Sequence, residues 1–281
     1  MTDSREKPGL QVSSHDTLNI GSTRVTRIVL WLGAITIVSF LIGFGILALS
    51  GELPQSKDQD FSPFRHTAFL SPGKTTVPLD GAGYGDVALT LGAGELRVQG
   101  GAPDDMLMDA SIFSKAPEWE PELVQSVNGS RKTVALTDKG HKTKEWFSVD
   151  SPNSWTIALN NGVPVNLEVN VGAGDCRIDL DGMTLGSLDV HNGAGDTTIT
   201  LGRSQNQPFD AVIRNGIGDL TLRVPRESNT RIRAVTGLGE ISNNGLVQDG
   251  DIFVTAGFNP AIAVNEITLN QGVGSISLEA L

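Results

Sequence analysis

Little in this chain is suited to chemistry. It has one cysteine, Cys176, so no intrachain disulfide can form. Its four histidines, His15, His66, His141 and His191, show no metal-ligand spacing. No Ser/His/Asp set or Cys/His pair can be assembled with support from the sequence, so neither an enzymic activity nor a cofactor is expected. Positive charge is short as well. The formal net charge is −11, and residues 1–27 carry Arg5, Lys7, Arg24 and Arg27 against Asp3, Glu6 and Asp16, which leaves the remainder near −12. An acidic surface repels phosphate backbones and anionic head groups, so nucleic acid is disfavoured as a partner. Helix-period patterning is scarce outside one apolar segment.

Glycine is not scarce: there are 33. Many fall in one phrase said three times, LEVNVGAGDCRIDL, LDVHNGAGDTTITL and AVIRNGIGDLTLRV, between Leu167 and Val224. The first glycines are Gly172, Gly193 and Gly216, a period of 21 and then 23 residues. Weaker copies begin their corners at Gly92, Gly237 and Gly272. With that glycine as zero, position −5 holds Val87, Leu167, Leu188, Ala211, Ile232 and Ile267, and position −3 holds Leu89, Val169, Val190, Ile213, Ala234 and Leu269. Position +4 holds Leu96, Cys176, Thr197, Leu220, Ile241 and Ile276, and position +6 holds Val98, Ile178, Ile199, Leu222, Asn243 and Leu278. Columns spaced by two make each arm a β-strand with one inward face. No copy can bury its stripe alone, so the copies must stack. Cys176 lies in an inward column and reads as a small buried residue rather than a reactive thiol.

The corners pair Gly92 with Gly94, Gly172 with Gly174, Gly193 with Gly195, Gly216 with Gly218, Gly237 with Gly239, and Gly272 with Gly274. Glycine suits a sharp bend that needs positive φ or close chain approach. A dinucleotide fingerprint would need a third glycine and a following helix, whereas a strand follows every corner. The next residue is Glu95, Asp175, Asp196, Asp219 or Glu240, with Ser275 in the last copy. Stacked copies place these acids roughly 5 Å apart. Three readings stand open: a solvated row, acids accepting N–H bonds within their own turns, or a cation site, the own-turn bond being the commonest use of such an Asp. The nine-residue repeat of calcium β-rolls does not match. Position −1 carries Asn192, Asn215, Thr236 and Gln271, a polar row able to hydrogen-bond along the stack.

In chain order, residues 1–27 read as a cytoplasmic tail. Residues 28–49, Ile28 to Leu49, are 22 residues without a charge, the length of a bilayer-spanning helix. Arg24 and Arg27 precede the span and Glu52 follows it, so the N-terminus faces the cytoplasm. Ala48-Leu49-Ser50 loosely fits a cleavage site, but the run is long for a signal peptide and a 27-residue leader precedes it. Ser39 and Gly43 could let two spans approach closely. Residues 50–79, with Pro54, Pro63, Pro72 and Pro78, read as an extracytoplasmic linker. Residues 80–281 form the repeat domain, with an aromatic insert at about 101–165 that holds Trp119, Trp146 and Trp155. Eighty residues part Gly92 from Gly172, so either something is inserted or some rungs lack the glycine corner. Strands are expected at Met106–Phe113, Leu123–Val127, Thr133–Leu136 and Trp155–Leu159, with a hairpin at Asn128-Gly129. Asn243 to Pro260 reads as a loop or extra hairpin.

Trp155-Thr-Ile-Ala-Leu159, then Gly162-Val-Pro164 through Val171-Gly-Ala-Gly-Asp175, resembles the toast-rack β-domain of LiaF-like cell-wall-antibiotic-response proteins and related adhesins. Leu180-Asp-Gly-Met-Thr-Leu185, the next Gly-Ala-Gly-Asp and Pro117-Glu-Trp119-Glu-Pro121 continue the likeness over about residues 80–281. The resemblance implies a mainly β, solenoid-like stack on the outer face of a bacterial membrane, with no catalytic residues to carry over. LiaF-like members have several membrane helices and restrain a sensor kinase, whereas this chain has one expected span. The expectation is therefore a single-pass membrane protein with an extracytoplasmic parallel β-repeat domain, non-enzymatic, binding or regulatory in envelope-stress sensing. A membrane protein such as a sensor kinase would be its partner. The alternative is a structural or adhesin-type domain contacting cell-wall polymer or neighbouring proteins. An enzyme on the tryptophan-rich insert is a third reading.

Overall fold

The structure, a computed structural model, describes residues 66–69 as backbone and residues 73–114, 121–138, 153–202 and 208–281 in full. The chain divides into Met1–Asp60 and Phe61–Leu281. The tail, the Ile28–Leu49 span, most of the linker, Trp119 and Trp146 lie outside the described residues. Among those described, no helix is long and apolar enough to cross a membrane.

Among the described residues, twenty strands make two sheets. In chain order they are β1 (His66–Phe69), β2 (Gly73–Pro78), β3 (Tyr84–Ala93), β4 (Glu95–Gly100), β5 (Met106–Phe113), β6 (Glu122–Asn128), β7 (Arg131–Thr137) and β8 (Ser154–Leu159). Then follow β9 (Val165–Ala173), β10 (Cys176–Leu180), β11 (Leu185–Ala194), β12 (Thr197–Leu201), β13 (Asp210–Ile217) and β14 (Leu220–Val224). The last are β15 (Thr230–Leu238), β16 (Ile241–Asn244), β17 (Val247–Asp249), β18 (Ile252–Val254), β19 (Asn265–Val273) and β20 (Ile276–Ala280). The larger sheet runs β1-β6-β7-β3-β9-β11-β13-β19-β15-β18-β17, and the smaller β16-β20-β14-β12-β10-β4-β8-β5-β2. Each repeat is one rung: its first arm lies in the larger sheet, its corner bends the chain, and its second arm lies in the smaller sheet.

The two-residue alternation explains why the rungs need one another. Val87, Leu167, Leu188, Ala211, Ile267 and Ile232 line one buried column, and Leu96, Cys176, Thr197, Leu220 and Ile276 another, all at most 2 % exposed. Both arms feed a single hydrophobic core. Burying each large aliphatic side chain contributes about 1.5–3 kcal/mol, which no isolated rung could collect.

Register across the corners depends on both glycines. A Cβ on Gly172, Gly193, Gly216, Gly272 or Gly237 would run into the carbonyl oxygen of the preceding rung's first glycine, respectively Gly92, Gly172, Gly193, Gly216 and Gly272. The second glycines stack likewise and also have positive φ, 130° at Gly195 and 131° at Gly218. The corner is thus a place where backbones stack as closely as side chains would normally stack, and only glycine fits.

The strand pairing adds three particulars. The stack is not wholly parallel: β3, β9, β11, β13, β19 and β15 run parallel, but β1, β2, β5, β6, β17 and β18 join antiparallel. Of the two readings of the 101–165 segment, a rung without the glycine corner is the one found, because β7 pairs parallel with β3 and β8 with β4. Its sequence lacks the Gly-x-Gly phrase, and at the flanks Asp138 Oδ2 accepts from Gly92 N at 3.1 Å and Asn153 O from Glu95 N at 2.8 Å. Finally, the copies do not stack in chain order. The C-terminal copy, β19 and β20, lies between β13–β14 and β15–β16. The Asn128-Gly129 hairpin joins β6 to β7, with Gly129 at φ 59°, and the extra hairpin is β17–β18.

Gly195→Ala is expected to lower unfolding stability by about 3 kcal/mol, combining positive-φ strain with overlap against the Gly174 carbonyl. Gly257→Ala, where a Cβ meets nothing within 4 Å, is expected to stay within about 0.5 kcal/mol of the parent in the same denaturant titration.

Candidate binding surface

The predicted site residues converge on the corner. Asp196 N donates to Asp175 Oδ1 at 3.4 Å, Asp219 N to Asp196 Oδ1 at 2.9 Å, and Ser275 N to Asp219 Oδ1 at 2.9 Å. The acids therefore bond the next rung's backbone, not their own turn as expected. A strand-to-strand spacing puts the next N–H as near as their own. Because the C-terminal copy intervenes, Ser275 rather than Glu240 follows Asp219. That substitution fits the geometry, since Ser275 supplies the N–H without adding another carboxylate to the row. At the other end of the row, Glu95 accepts from Arg97 and Arg177 at 3.0 and 2.9 Å. Among the described residues no group of three or more His, Cys, Asp or Glu is disposed to hold a metal.

Behind the corner lies a buried polar ladder. Asn192 Nδ2 donates to Thr197 Oγ1 (3.0 Å), Thr197 Oγ1 to Asn215 Oδ1 (3.1 Å), and Asn215 Nδ2 to Gln271 Oε1 (3.0 Å). Gln271 Nε2 then donates to the carbonyls of Gly218 and Val273, and Thr236 Oγ1 to that of Gly274. The position −1 row does hydrogen-bond along the stack, with Thr197 joining from position +4. Cys176, also at +4, is fully buried, and burial pushes its thiol up to about 12. Its role is packing, as its column implies.

A surface not anticipated from the sequence lies on the outer face of the larger sheet. A shallow cleft of about 350 Å³ crosses β7, β3, β9 and β11, lined by Asp86, Thr133, Asn166, Glu168, Ser187 and Asp189. Asp86, Asn166 and Ser187 stand side by side in register. Asp86 Oδ1 accepts from Arg131 at 2.6 Å and from Asn166 Nδ2 at 2.7 Å, and Ser187 Oγ donates to Asn166 Oδ1 at 3.2 Å. The Asp86 carboxylate raises the pKa of the Arg131 guanidinium, which lies 5.8 Å from the ring centre of the exposed Tyr84. A bulge between Leu185 and Ser187 includes Gly186, where any Cβ would strike Asn166 Oδ1. The floor is therefore preorganised by cross-strand bonds; Asp86 is paired with Arg131 and Asp189 with Arg214, so its negative excess comes from Glu168. It suits a polar neutral or cationic ligand and disfavours a phosphate. The signal was present in the position −6 column, Asp86, Asn166, Ser187, Asp210, Glu266 and Arg231, which is polar throughout.

Two chemical expectations follow. Asp219→Ala should cost about 1 kcal/mol by urea unfolding, while Asp219→Asn, which keeps an acceptor oxygen, should cost less. For Cys176, the unfolded thiol ionises above its ordinary 9.0 while the folded one resists until about 12. Its contribution is complete below pH 9.0 and falls away as pH rises through about 12. The urea midpoint of the parent should decline across that range more steeply than that of Cys176→Ala.

Comparison with known proteins agrees with this architecture. No curated protein matches the chain. In fold it is similar to the crystal structure of "a putative cell adhesion protein" from Clostridium sporogenes, with a TM-score of 0.68 and 23% identity over 78% of this chain and 100% of that one. A "putative adhesin" from Bacteroides fragilis aligns over 77% of this chain and 98% of its own at 15% identity, but its TM-score of 0.29 carries no weight. The family described as the N-terminal domain of toast_rack, DUF2154, matches residues 70–223, more than half the chain. That span takes in most of the central rungs and the whole outer-face cleft, and on it the chain belongs to the toast-rack family.

Proposed function

We propose that this toast-rack chain is a non-enzymatic binding module on the outer face of a bacterial membrane, acting as a regulator in envelope-stress sensing. In this reading the Ile28–Leu49 span holds it with the N-terminus in the cytoplasm, and a membrane protein such as a sensor kinase is its partner. The observation that carries the binding role is the outer-face cleft, whose Asp86–Asn166–Ser187 floor is locked by hydrogen bonds on a rigid stack. Such a floor loses little entropy when a ligand seats on it. The regulatory role rests on the family resemblance and on the long uncharged run that would place the module beside membrane partners.

A second reading is an adhesin-type domain contacting wall polymer or neighbouring proteins. The fold likeness to the Clostridium sporogenes protein favours it. Both readings use the same outer face, and they differ in what the membrane segment must do.

The deciding experiment is the transcript profile of a deletion strain, with and without a cell-wall antibiotic. A regulator is expected to leave an envelope-stress regulon switched on without drug, or unresponsive to it. An unchanged profile, together with full rescue by the domain on a foreign membrane helix, would sink the regulatory reading in favour of the adhesin-type one.

A further inference from the structure

The stack hands hydrogen bonds in one direction along its corner. Gly174 N donates to Ala194 O, Gly195 N to Ile217 O, Gly218 N to Val273 O and Gly274 N to Leu238 O, at 2.7 to 3.0 Å. A second line runs Cys176 N to Asp196 O, Thr197 N to Asp219 O, Leu220 N to Ser275 O and Ile276 N to Glu240 O, at 2.8 to 2.9 Å. Both lines end at the rung of β15 and β16, where no described rung receives the N–H of Gly239 or Ile241. The larger sheet continues past this point through β18 and β17, but the smaller sheet stops at β16. In a parallel ladder alternate residues bond alternate sides. Glu240 serves Ile276, so Ile241 and Asn243 point their backbone groups outward. Ser242, Asn243 and Asn244 are exposed, as are Glu240 and Gly239 on the approach.

Proteins guard free sheet edges with charge, proline or brevity. This one guards others. At the far edge of the smaller sheet, β2 carries Lys74, paired to Asp109, and ends in Pro78. The edge strand β17 of the larger sheet is three residues long and ends in Asp249. β16 is also short, four residues, and Glu240 precedes it, but within the strand it reads Ile-Ser-Asn-Asn, with neither charge nor proline.

We propose that β16 is the pairing edge for a second copy of this chain. A two-fold contact brings a surface against itself, so its strand must tolerate antiparallel pairing with its own sequence. The outward groups of Ile241 meet those of Asn243 on the second copy, and the reverse. The axis then passes at Ser242, which meets its counterpart at about 4.5 Å between Cα atoms. No like charges are opposed there, since residue 240 of one copy meets residue 244 of the other: Glu240 against Asn244. The contact covers the half-exposed Ile241 and brings shelter to Leu238, 70% exposed on the same rung. It joins the two nine-stranded sheets into one, independently of what the outer-face cleft binds.

Disulfide mapping on the full-length chain in detergent tests the register. Ser242→Cys, Glu240→Cys and Asn244→Cys each place a thiol on an exposed residue of this edge, while the buried Cys176 stays silent. Under mild oxidation Ser242→Cys alone should give at least tenfold more covalent dimer than Glu240→Cys or Asn244→Cys alone. Mixing the latter two should restore the yield, because residue 240 faces residue 244 across the axis. No dimer from Ser242→Cys, as when another protein's strand occupies the edge, overturns the proposal. Equal yields from all three single variants, as from a dimer joined elsewhere, overturn it too.

Discussion

The close approach of backbone to backbone at the corner is the constraint on which the structure depends. Each rung must turn from one sheet to the other within a few residues while keeping strand spacing from its neighbours. Side chains there would hold adjacent rungs apart. Two glycine columns remove them, so that the carbonyl of Gly174 occupies the space a Cβ of Gly195 would need. The hydrogen-bond ladder then crosses the bend without a break, as Gly195 N to Ile217 O and Thr197 N to Asp219 O show. The carboxylates of Asp175, Asp196 and Asp219 add a third line of bonds outside the bend, and the amides of Asn192, Asn215 and Gln271 add another inside it. The glycines set the spacing, and the acids and amides exploit it.

The order of rungs follows from the same logic. Gln271 can extend the buried amide ladder, since its Oε1 accepts from Asn215 while its Nε2 reaches the Gly218 and Val273 carbonyls. Thr236, with a hydroxyl in place of the amide, ends the row by donating to Gly274 O. The β15–β16 rung is also built as an end: Asn243 replaces the apolar residue that every other glycine-cornered rung has at position +6, and it is exposed. Placing that rung inside would bury an amide among leucines, at a cost of about 1–3 kcal/mol unless fully bonded. The segment from Gly245 to Val264 lets the chain travel out, form β17 and β18, and return to fill the inner slot.

Much of this was legible in the sequence. The inward columns, the strands β5 to β8, the Asn128-Gly129 turn and the amide row all follow from period-two patterning and glycine chemistry. The rung of β7 and β8 escaped because no Gly-x-Gly phrase stands between its two strands, which removes the mark by which copies are recognised. The interleaved C-terminal copy escaped for a different reason. Chain order is the default for repeats, and the Asn243 that breaks a column is one residue among many. The outer-face cleft is marked by no inward column. Its row of Asp86, Asn166 and Ser187 becomes meaningful only when register places those residues shoulder to shoulder.

This division of labour bears on function. Inward and corner positions are tied to the stack, so a change at Gly195 or Asn215 is felt as stability. Outward positions touch only water and their cross-strand neighbours, and there the rungs differ most. Position −6 passes from Asp86 through Ser187 to Arg231, and the middle corner residue passes from Ala93, Ala173 and Ala194 to Ile217, Val273 and Leu238. A repeat that holds its interior nearly constant while varying its outer face presents a different surface at each level. The acidic, hydrogen-bonded cleft belongs to the first rungs, and the exposed apolar corner ridge belongs to the last. The outer surface can therefore differ from level to level without compromising the core that supports it.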